Sequence, residues 1–371
     1  MDDEGRGTGG LEPAPYRQRA DNRTYRGRGH HFRHRRAPNA GQAGRATYAA
    51  LDLGTNNCRL LIARPSGDGF RVIDAFSRII RLGEGLSATG RLSEAAIARA
   101  VGALAVCRDK MVNRGVTRAR LIATEACRAA SNGAEFLDVI REQVGIELEI
   151  VDRKTEADLA ATGCTPLIDP QARGVLLFDI GGGSSELVSL AQSEPAMRGP
   201  PRPVVRSWVS LPVGVVTLAE RHGGVWVDRA LFEVMVAEVA GHVAQFTAAH
   251  GGDLEGVHML GTSGTVTTIA GIHLRLPRYD RRRVDGCWLV ESEITQVIGE
   301  LIAMTYEERV ANACIGSERA DLVLAGCAIL EAIRRAFPCP RLRVADRGLR
   351  EGMLVKLMRE DGVWSQPVAP A

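Results

Sequence analysis

From Tyr48 onward the chain alternates short apolar runs with turn signals. Tyr48-Ala-Ala-Leu-Asp-Leu breaks at Gly54, the apolar pattern resumes at Leu60-Leu-Ile-Ala, and the chain turns at Pro65-Ser-Gly-Asp-Gly. This predicts strand, tight turn, strand, with a third strand over Phe70 to Phe76. At Ser93 the spacing becomes helical: Ile97, Val101 and Leu104 share one face, Ser93 is placed to cap, and Glu94 sits in the first turn. Arg120-Leu-Ile-Ala-Thr reads as a strand, residues 134–144 as a helix with Phe136, Ile140 and Val144 inward, and residues 148–151 as another strand. Thr155 is the expected cap of a short helix that begins at Glu156.

After the turn-rich segment 165–170 the programme restarts. Gly174-Val-Leu-Leu-Phe-Asp-Ile is a predicted strand, Gly181-Gly-Gly-Ser-Ser a tight turn, and Glu186-Leu-Val-Ser-Leu the return strand. A proline-rich loop, Pro195 to Pro203, separates the second strand from a third. Helices are predicted at 228–249, 292–303, 318–337 and 348–359, with a strand at Arg341–Val344. Sliding the chain by 127 positions puts Asp52 on Asp179, Gly54 on Gly181, Leu60 on Leu187 and Leu61 on Val188. The repeat predicts two related α/β domains, at 46–170 and 171–361, each offering a hairpin to a shared cleft.

Charge separates a further segment. Residues 1–45 carry ten arginines against five acids, while the rest has 37 basic and 39 acidic side chains, a balance of −2. With almost no branched apolar residues, 1–45 cannot bury enough surface to offset ordering, and is expected to be disordered, as is a flexible 362–371 tail. The arginines make it a candidate contact for nucleic acid. No run approaches the roughly 18 apolar residues of a membrane span, and no secretory core is present. The expectation is a cytoplasmic protein without membrane contact. The eight cysteines never form Cys-x-x-Cys and fall in apolar segments, so they read as small core residues. His258, beside a strand, reads as structural. Of three lysines, Lys110, Lys154 and Lys356, none follows a glycine, which excludes a Walker A loop.

A glycine turn between strands exposes backbone N–H groups to an anion, and hydroxyls and amides add donors. Thr55, Asn56 and Asn57 supply these in the first hairpin; Gly181, Gly182, Gly183, Ser184 and Ser185 supply them in the second. Asp179, with Glu186 and Asp52 as further choices, is a hard oxygen ligand suited to Mg²⁺. A dinucleotide fingerprint starting at Gly181 needs glycine at 186, where Glu186 stands. A third turn, Gly261-Thr-Ser-Gly-Thr, reads equally as an anion contact or a helix start, and Arg281-Arg-Arg as a polyanion path or an exposed loop.

Asp52-Leu-Gly-Thr-Asn-Asn-Cys-Arg, Ala123-Thr-Glu-Ala-Cys-Arg, Thr155-Glu-Ala, Asp179-Ile-Gly-Gly-Gly-Ser-Ser-Glu, Leu211-Pro-Val-Gly-Val-Val, Gly261-Thr-Ser-Gly-Thr, Glu318-Arg-Ala-Asp and Arg347-Gly-Leu-Arg-Glu-Gly occur in this order. From about Tyr48 to about Met358 this resembles the exopolyphosphatase / guanosine pentaphosphate phosphohydrolase (Ppx/GppA) family, in a short two-domain form. The resemblance implies two ribonuclease-H-like domains of the actin-like ATPase superfamily around a central cleft. It implies Mg²⁺-assisted hydrolysis of the terminal anhydride of polyphosphate, or of the 5′-phosphate of guanosine pentaphosphate, and a homodimer. Glu156 matches the family's catalytic base and Arg128 its arginine beside the phosphate site. Two departures stand next to the base: Thr155 replaces a glutamate and Asp158 an arginine. At a helix start, Glu156 is expected to stay ionised and to accept a proton from water. The alternatives are an ATP-dependent kinase or ATPase of the same superfamily, and a non-catalytic sensor of polyphosphate or alarmone.

Overall fold

The computed structural model describes residues 46–194, 198–250 and 254–364; the tail at 1–45 and most of 362–371 lie outside the described residues. The first half runs β1 (Tyr48–Leu53), β2 (Asn57–Ser66), β3 (Gly69–Ile79), α1 (Leu86–Thr89), α2 (Glu94–Asn113), β4 (Arg118–Ala123), α3 (Glu125–Ala129), α4 (Gly133–Val144), β5 (Glu149–Ile150) and α5 (Arg153–Cys164). The second runs β6 (Gly174–Ile180), β7 (Ser185–Glu194), β8 (Arg202–Leu211), α6 (Val215–His222), α7 (Arg229–His250), β9 (Val257–Thr262), α8 (Gly264–His273), α9 (Arg281–Val284), β10 (Trp288–Val290), α10 (Glu291–Ala303), α11 (Tyr306–Ala311), α12 (Val323–Ala336), β11 (Arg341–Ala345) and α13 (Leu349–Glu360).

The repeat seen in the sequence is a repeat of topology. One sheet has the order β3-β2-β1-β4-β5; the other, read from its far edge, is β8-β7-β6-β9-β11 with β10 added. In both, the first three strands are antiparallel and the next joins parallel to the first. The protein therefore has the ribonuclease-H-like architecture, twice, around a cleft.

Central strands covered on both faces read as continuous apolar runs, with alternate residues facing opposite layers. Ala49, Leu51 and Leu53 of β1 join the core under α2 and α4, while Tyr48 and Ala50 face Met353 and Leu357 of α13. In β6, Leu176, Phe178 and Ile180 face one core and Val175 and Leu177 the other. Helices α5 and α13 cross closely, and a Cβ on Gly163 would lie 2.0 Å from the Gly348 carbonyl oxygen. Glycine is needed there because backbone meets backbone. The final helix thus carries the chain back onto β1.

Two element boundaries differ from expectation. The α5 cap is Asp152, whose Oδ1 accepts the Thr155 N–H at 2.7 Å, so Thr155 is inside the helix and does not cap it. Asp152 has the extended backbone and short acceptor a cap needs, so the helix starts at Arg153 and the orphan N–H satisfied is that of Thr155 itself. The segment 318–322 is a turn and α12 starts only at Val323. Of the eight cysteines, all free, six are buried and Cys287 and Cys339 are half-buried. His258 is a buried structural residue: its Nε2 accepts the Asp169 N–H at 3.2 Å and its Nδ1 lies 2.8 Å from the Met259 carbonyl oxygen.

Candidate active site

The strands β1 and β6 each bring an aspartate to the cleft and then turn on glycine. Asp52 is the cross-strand partner of Arg59, and Asp179 of Glu186. The 127-residue offset maps one pair onto the other, so Arg59 occupies in the first hairpin the place Glu186 holds in the second. All four side chains line one cavity of about 150 Å³. The turns meet at its edge: a Cβ on Gly182 would sit 2.8 Å from Thr55 Cβ. Only glycine lets the second turn approach the first this closely.

Thr55, Asn56, Asn57, Gly181, Gly182, Gly183 and Ser184 line the cavity. Ser185 does not: it is fully buried and its hydroxyl donates to the Val213 carbonyl at 2.7 Å. Side chains alternate along β7, so Ser184 and Glu186 share the cleft face and Ser185 is turned away. The carboxamide oxygens of Asn56 and Asn57 are buried with no hydrogen-bond partner among the described residues. A buried amide of this kind is costly unless a ligand completes it. The third turn serves both of its readings, since Ser263 caps α8 by accepting the Val266 N–H at 3.1 Å while Ser263 and Gly264 line the cavity. Of Arg281-Arg-Arg, Arg281 faces an adjoining chamber and Arg282 and Arg283 are exposed.

Glu156 enters from the first turn of α5 and is 6% exposed. Its Oε2 accepts from Arg128 Nη2 at 2.8 Å. Arg128 also binds Glu125 and the Val151 carbonyl, and Arg153 Nη2 reaches Glu125 at 2.9 Å. Arg128 therefore stands behind Glu156, absent from the cavity wall, with its donors directed at protein groups. The bidentate phosphate contact expected of it is replaced by a hold on the candidate base.

Five acidic side chains line this cavity: Asp52, Glu125, Glu156, Asp179 and Glu186. Burial, with Glu186 nearby, pushes Glu156 up to about 8 despite Arg128. Burial also takes Asp179 up to about 7, against the pull of Arg59, and Glu186 to about 7, where Asp179 adds to it and Ser210 and Ser184 oppose it. Asp52 is raised for the same reason. The helix start does not keep Glu156 ionised as the sequence suggested, because desolvation and crowding outweigh a dipole of limited strength. At these carboxyls the folded state binds more protons than the unfolded chain, so their contribution to stability is fully present below about pH 4 and lost as pH rises through 7 and 8. The melting temperature of the metal-free protein is expected to fall by several degrees between pH 5 and roughly 8.5, and calorimetry in EDTA checks it.

The donor set fits Mg²⁺. Mg²⁺ prefers carboxylate oxygens, keeps several waters and takes further ligands from phosphate rather than from a full protein cage. Asp52, Asp179 and Glu186 offer hard oxygens to the cavity; among the described residues no three of His, Cys, Asp or Glu already stand together as a site for a metal ion, so a bound Mg²⁺ would take most of its ligands from water and phosphate. Among the charged lining residues, Arg59, Glu125 and Arg319 were given no role by sequence reasoning. Arg59 stands in the Asp52 motif, at the offset of Glu186, which was the available signal; Arg319 is brought in by the turn before α12.

A doubled ribonuclease-H-like fold, with apposed glycine turns and buried carboxylates between them, defines a site of the phosphohydrolase type. Residues 61–361 match the model of the Ppx/GppA phosphatase family, and the chain belongs to that family. It is 29% identical over 325 residues to exopolyphosphatase 2 of Mycobacterium tuberculosis, covering 83% of this chain and 98% of that one. With the guanosine-5'-triphosphate,3'-diphosphate pyrophosphatase of Aeromonas salmonicida it shares 28% identity, over 84% of this chain and 59% of the relative. The crystal structure of the Aquifex aeolicus Ppx/GppA family member matches with a TM-score of 0.70 at 27% identity, covering 85% of this chain and 98% of that one. An exopolyphosphatase from Cytophaga hutchinsonii shares the fold, with a TM-score of 0.76 at 23% identity over 85% and 98% of the two chains. The protein is a hydrolase.

Proposed function

We propose that this chain releases the terminal phosphate of inorganic polyphosphate, or the 5′ γ-phosphate of guanosine pentaphosphate, by attack of a water that Glu156 deprotonates. The observation that carries this reading is the buried Glu156 carboxylate facing the two apposed turns across a cavity that both hairpins line. The terminal phosphate rests between Thr55-Asn56-Asn57 and Gly181-Gly182-Gly183-Ser184, where backbone N–H groups and hydroxyls donate hydrogen bonds to its oxygens. Water oxygen bonds to the terminal phosphorus, its proton passes to a Glu156 oxygen, and the anhydride P–O bond breaks with its electron pair going to the departing oxygen. A base raised toward neutrality suits proton removal near pH 7 to 8. Mg²⁺, held by Asp179 with Asp52 and Glu186, supplies neutralisation of phosphate charge when bound.

The two departures beside Glu156 leave this chemistry intact. Residues two apart on a helix do not face each other, so Asp158 lies on another face of α5. Arg128 contributes the cation beside the base from α3. Arg128→Gln is expected to lower kcat by about 10- to 100-fold, because the carboxylate loses its orienting partner. Removing an adjacent cation raises a carboxylate pKa, so the acidic limb of the kcat–pH profile moves to higher pH; an unshifted limb removes Arg128 from this role.

The direct test is phosphate release by the purified protein from long-chain polyphosphate, guanosine pentaphosphate and ATP, each with Mg²⁺ and with EDTA. Hydrolysis of one or both of the first two, lost in EDTA, is expected. Rapid ATP turnover with neither of the others hydrolysed overturns the proposal in favour of an ATPase or kinase.

A further inference from the structure

Glu125 lines the cavity and takes no part in the steps above. It opens α3, with only Thr124 between it and the end of β4. Its side chain is 14% exposed, and a carboxylate buried to this extent is costly without partners. Two arginines supply them. Oε2 accepts from Arg128 Nε at 3.0 Å and also from Arg128 Nη2. Oε1 accepts from Arg153 Nη2 at 2.9 Å, and Arg153 opens α5, three residues before Glu156.

The consequence falls on Arg128. A guanidinium has five N–H donors in a fixed fork. Here all three of its nitrogens are taken by the protein: Nε and Nη2 by Glu125, Nη2 also by Glu156 at 2.8 Å, and Nη1 by the Val151 carbonyl. The edge formed by Nε and Nη2 is one that can bind a phosphate in bidentate fashion, and Glu125 occupies it. Glu125 also lies against the second phosphate turn, since a Cβ on Gly183 would sit 3.0 Å from its Cγ. It therefore touches both the arginine and the turn that the arginine could otherwise serve.

We propose that Glu125 is a positioning residue that keeps Arg128 on Glu156 and off the phosphate. Its effect on turnover rests on the reading of Glu156 as the base; its effect on binding rests on the Glu125–Arg128 contact alone. A cation placed on the phosphate strengthens ground-state and transition-state binding alike, which tightens substrate without speeding the chemical step. The same cation fixed on the carboxylate orients the proton acceptor. Without Glu125, Arg128 divides itself between Glu156 and the phosphate, so substrate binds more tightly and turns over more slowly.

The experiment compares Glu125→Ala in the wild-type and Arg128→Gln backgrounds, by phosphate release in Mg²⁺ and by equilibrium binding of tripolyphosphate in EDTA, where affinity is read without turnover. Glu125→Ala alone is expected to lower kcat by about tenfold, as a misplaced group does. KM should fall with it, and tripolyphosphate should bind about tenfold more tightly, the gain of one charge-assisted contact. With Arg128 already replaced, the same substitution changes kcat and affinity by less than about threefold. That background separates a gain relayed by Arg128 from simple relief of repulsion by an acid in the cavity wall, which survives the loss of Arg128. A site merely loosened by the substitution binds more weakly instead. Glu125→Gln keeps the volume and loses the charge; it gives the same pattern at smaller size even where Glu125→Ala fails to fold. Tripolyphosphate affinity unchanged or weakened in both Glu125 variants, or a gain of equal size with and without Arg128, overturns the proposal. An Arg128-dependent gain together with a fully active Glu156→Gln removes the base and keeps the hold on Arg128; an inactive Glu156→Gln with unchanged affinity in the Glu125 variants does the reverse.

Discussion

Glu156→Gln is expected to reduce phosphate release by about 10²- to 10⁴-fold, the range that removing a general base produces, and yet to give a protein that melts at higher temperature than the wild type at pH 8. Both effects come from one carboxylate. Burial and the neighbouring Glu186 outweigh the attraction of Arg128, so the ionised form of Glu156 is unfavourable in the folded chain. Glutamine keeps the shape and can still accept from Arg128 Nη2, which has Glu125 and Val151 as company. The variant loses the charge that crowds the site and the proton acceptor proposed for the reaction. The gain in melting temperature should shrink toward pH 5, where the wild-type carboxyl is itself protonated. Calorimetry at the two pH values and a phosphate-release assay check both halves. A fully active variant takes Glu156 out of the base role; a variant less stable at pH 8 than at pH 5, relative to wild type, contradicts the charge account.

Asp179→Asn is the second large effect, expected to lower activity by about 10²-fold or more at saturating substrate and to raise the Mg²⁺ concentration needed for half-maximal rate. The loss reflects an electrostatic contact to a charged group in a low-dielectric site. The residue ends the central strand of the second sheet, with Asp52 and Glu156 among the charges acting on it. Asparagine preserves the side-chain outline and one oxygen while removing the charge. Since Asp179 raises Glu186, its removal also relieves that repulsion. The decline in melting temperature with pH should accordingly become shallower. A Mg²⁺ titration of activity separates the two roles: an unchanged half-saturation with reduced rate assigns Asp179 to the phosphate and not to the metal.

Much of this was legible in the sequence because the information is local and repeated. Asp52 and Asp179 each end an apolar run before a glycine turn, and strand alternation then places them at one cleft. The repeat made the doubled topology predictable before any contact was known. Glu156 was legible through its place in Thr155-Glu-Ala after a strand. What escaped depended on three-dimensional crowding. Nothing local in Glu156 says that Glu186, thirty residues on, will help keep it protonated. Arg128 was found as a residue and misplaced as a contact, because its partners Glu125, Val151 and Glu156 come from three segments. Ser185 lost its role to the pleat of β7, one residue out of phase with Ser184 and Glu186. Arg319 was hidden by the apolar spacing of α12, which made the preceding turn look helical.

The most direct test of the central claim is ³¹P NMR of the products formed from polyphosphate or guanosine pentaphosphate in Mg²⁺ and ¹⁸O-enriched water, followed in the wild type and in Glu156→Gln. The expected result is orthophosphate alone as the released product, carrying one water-derived oxygen, and its near disappearance in the variant. Pyrophosphate, internal chain fragments, transfer to an acceptor other than water, or undiminished labelled orthophosphate from Glu156→Gln contradicts the account.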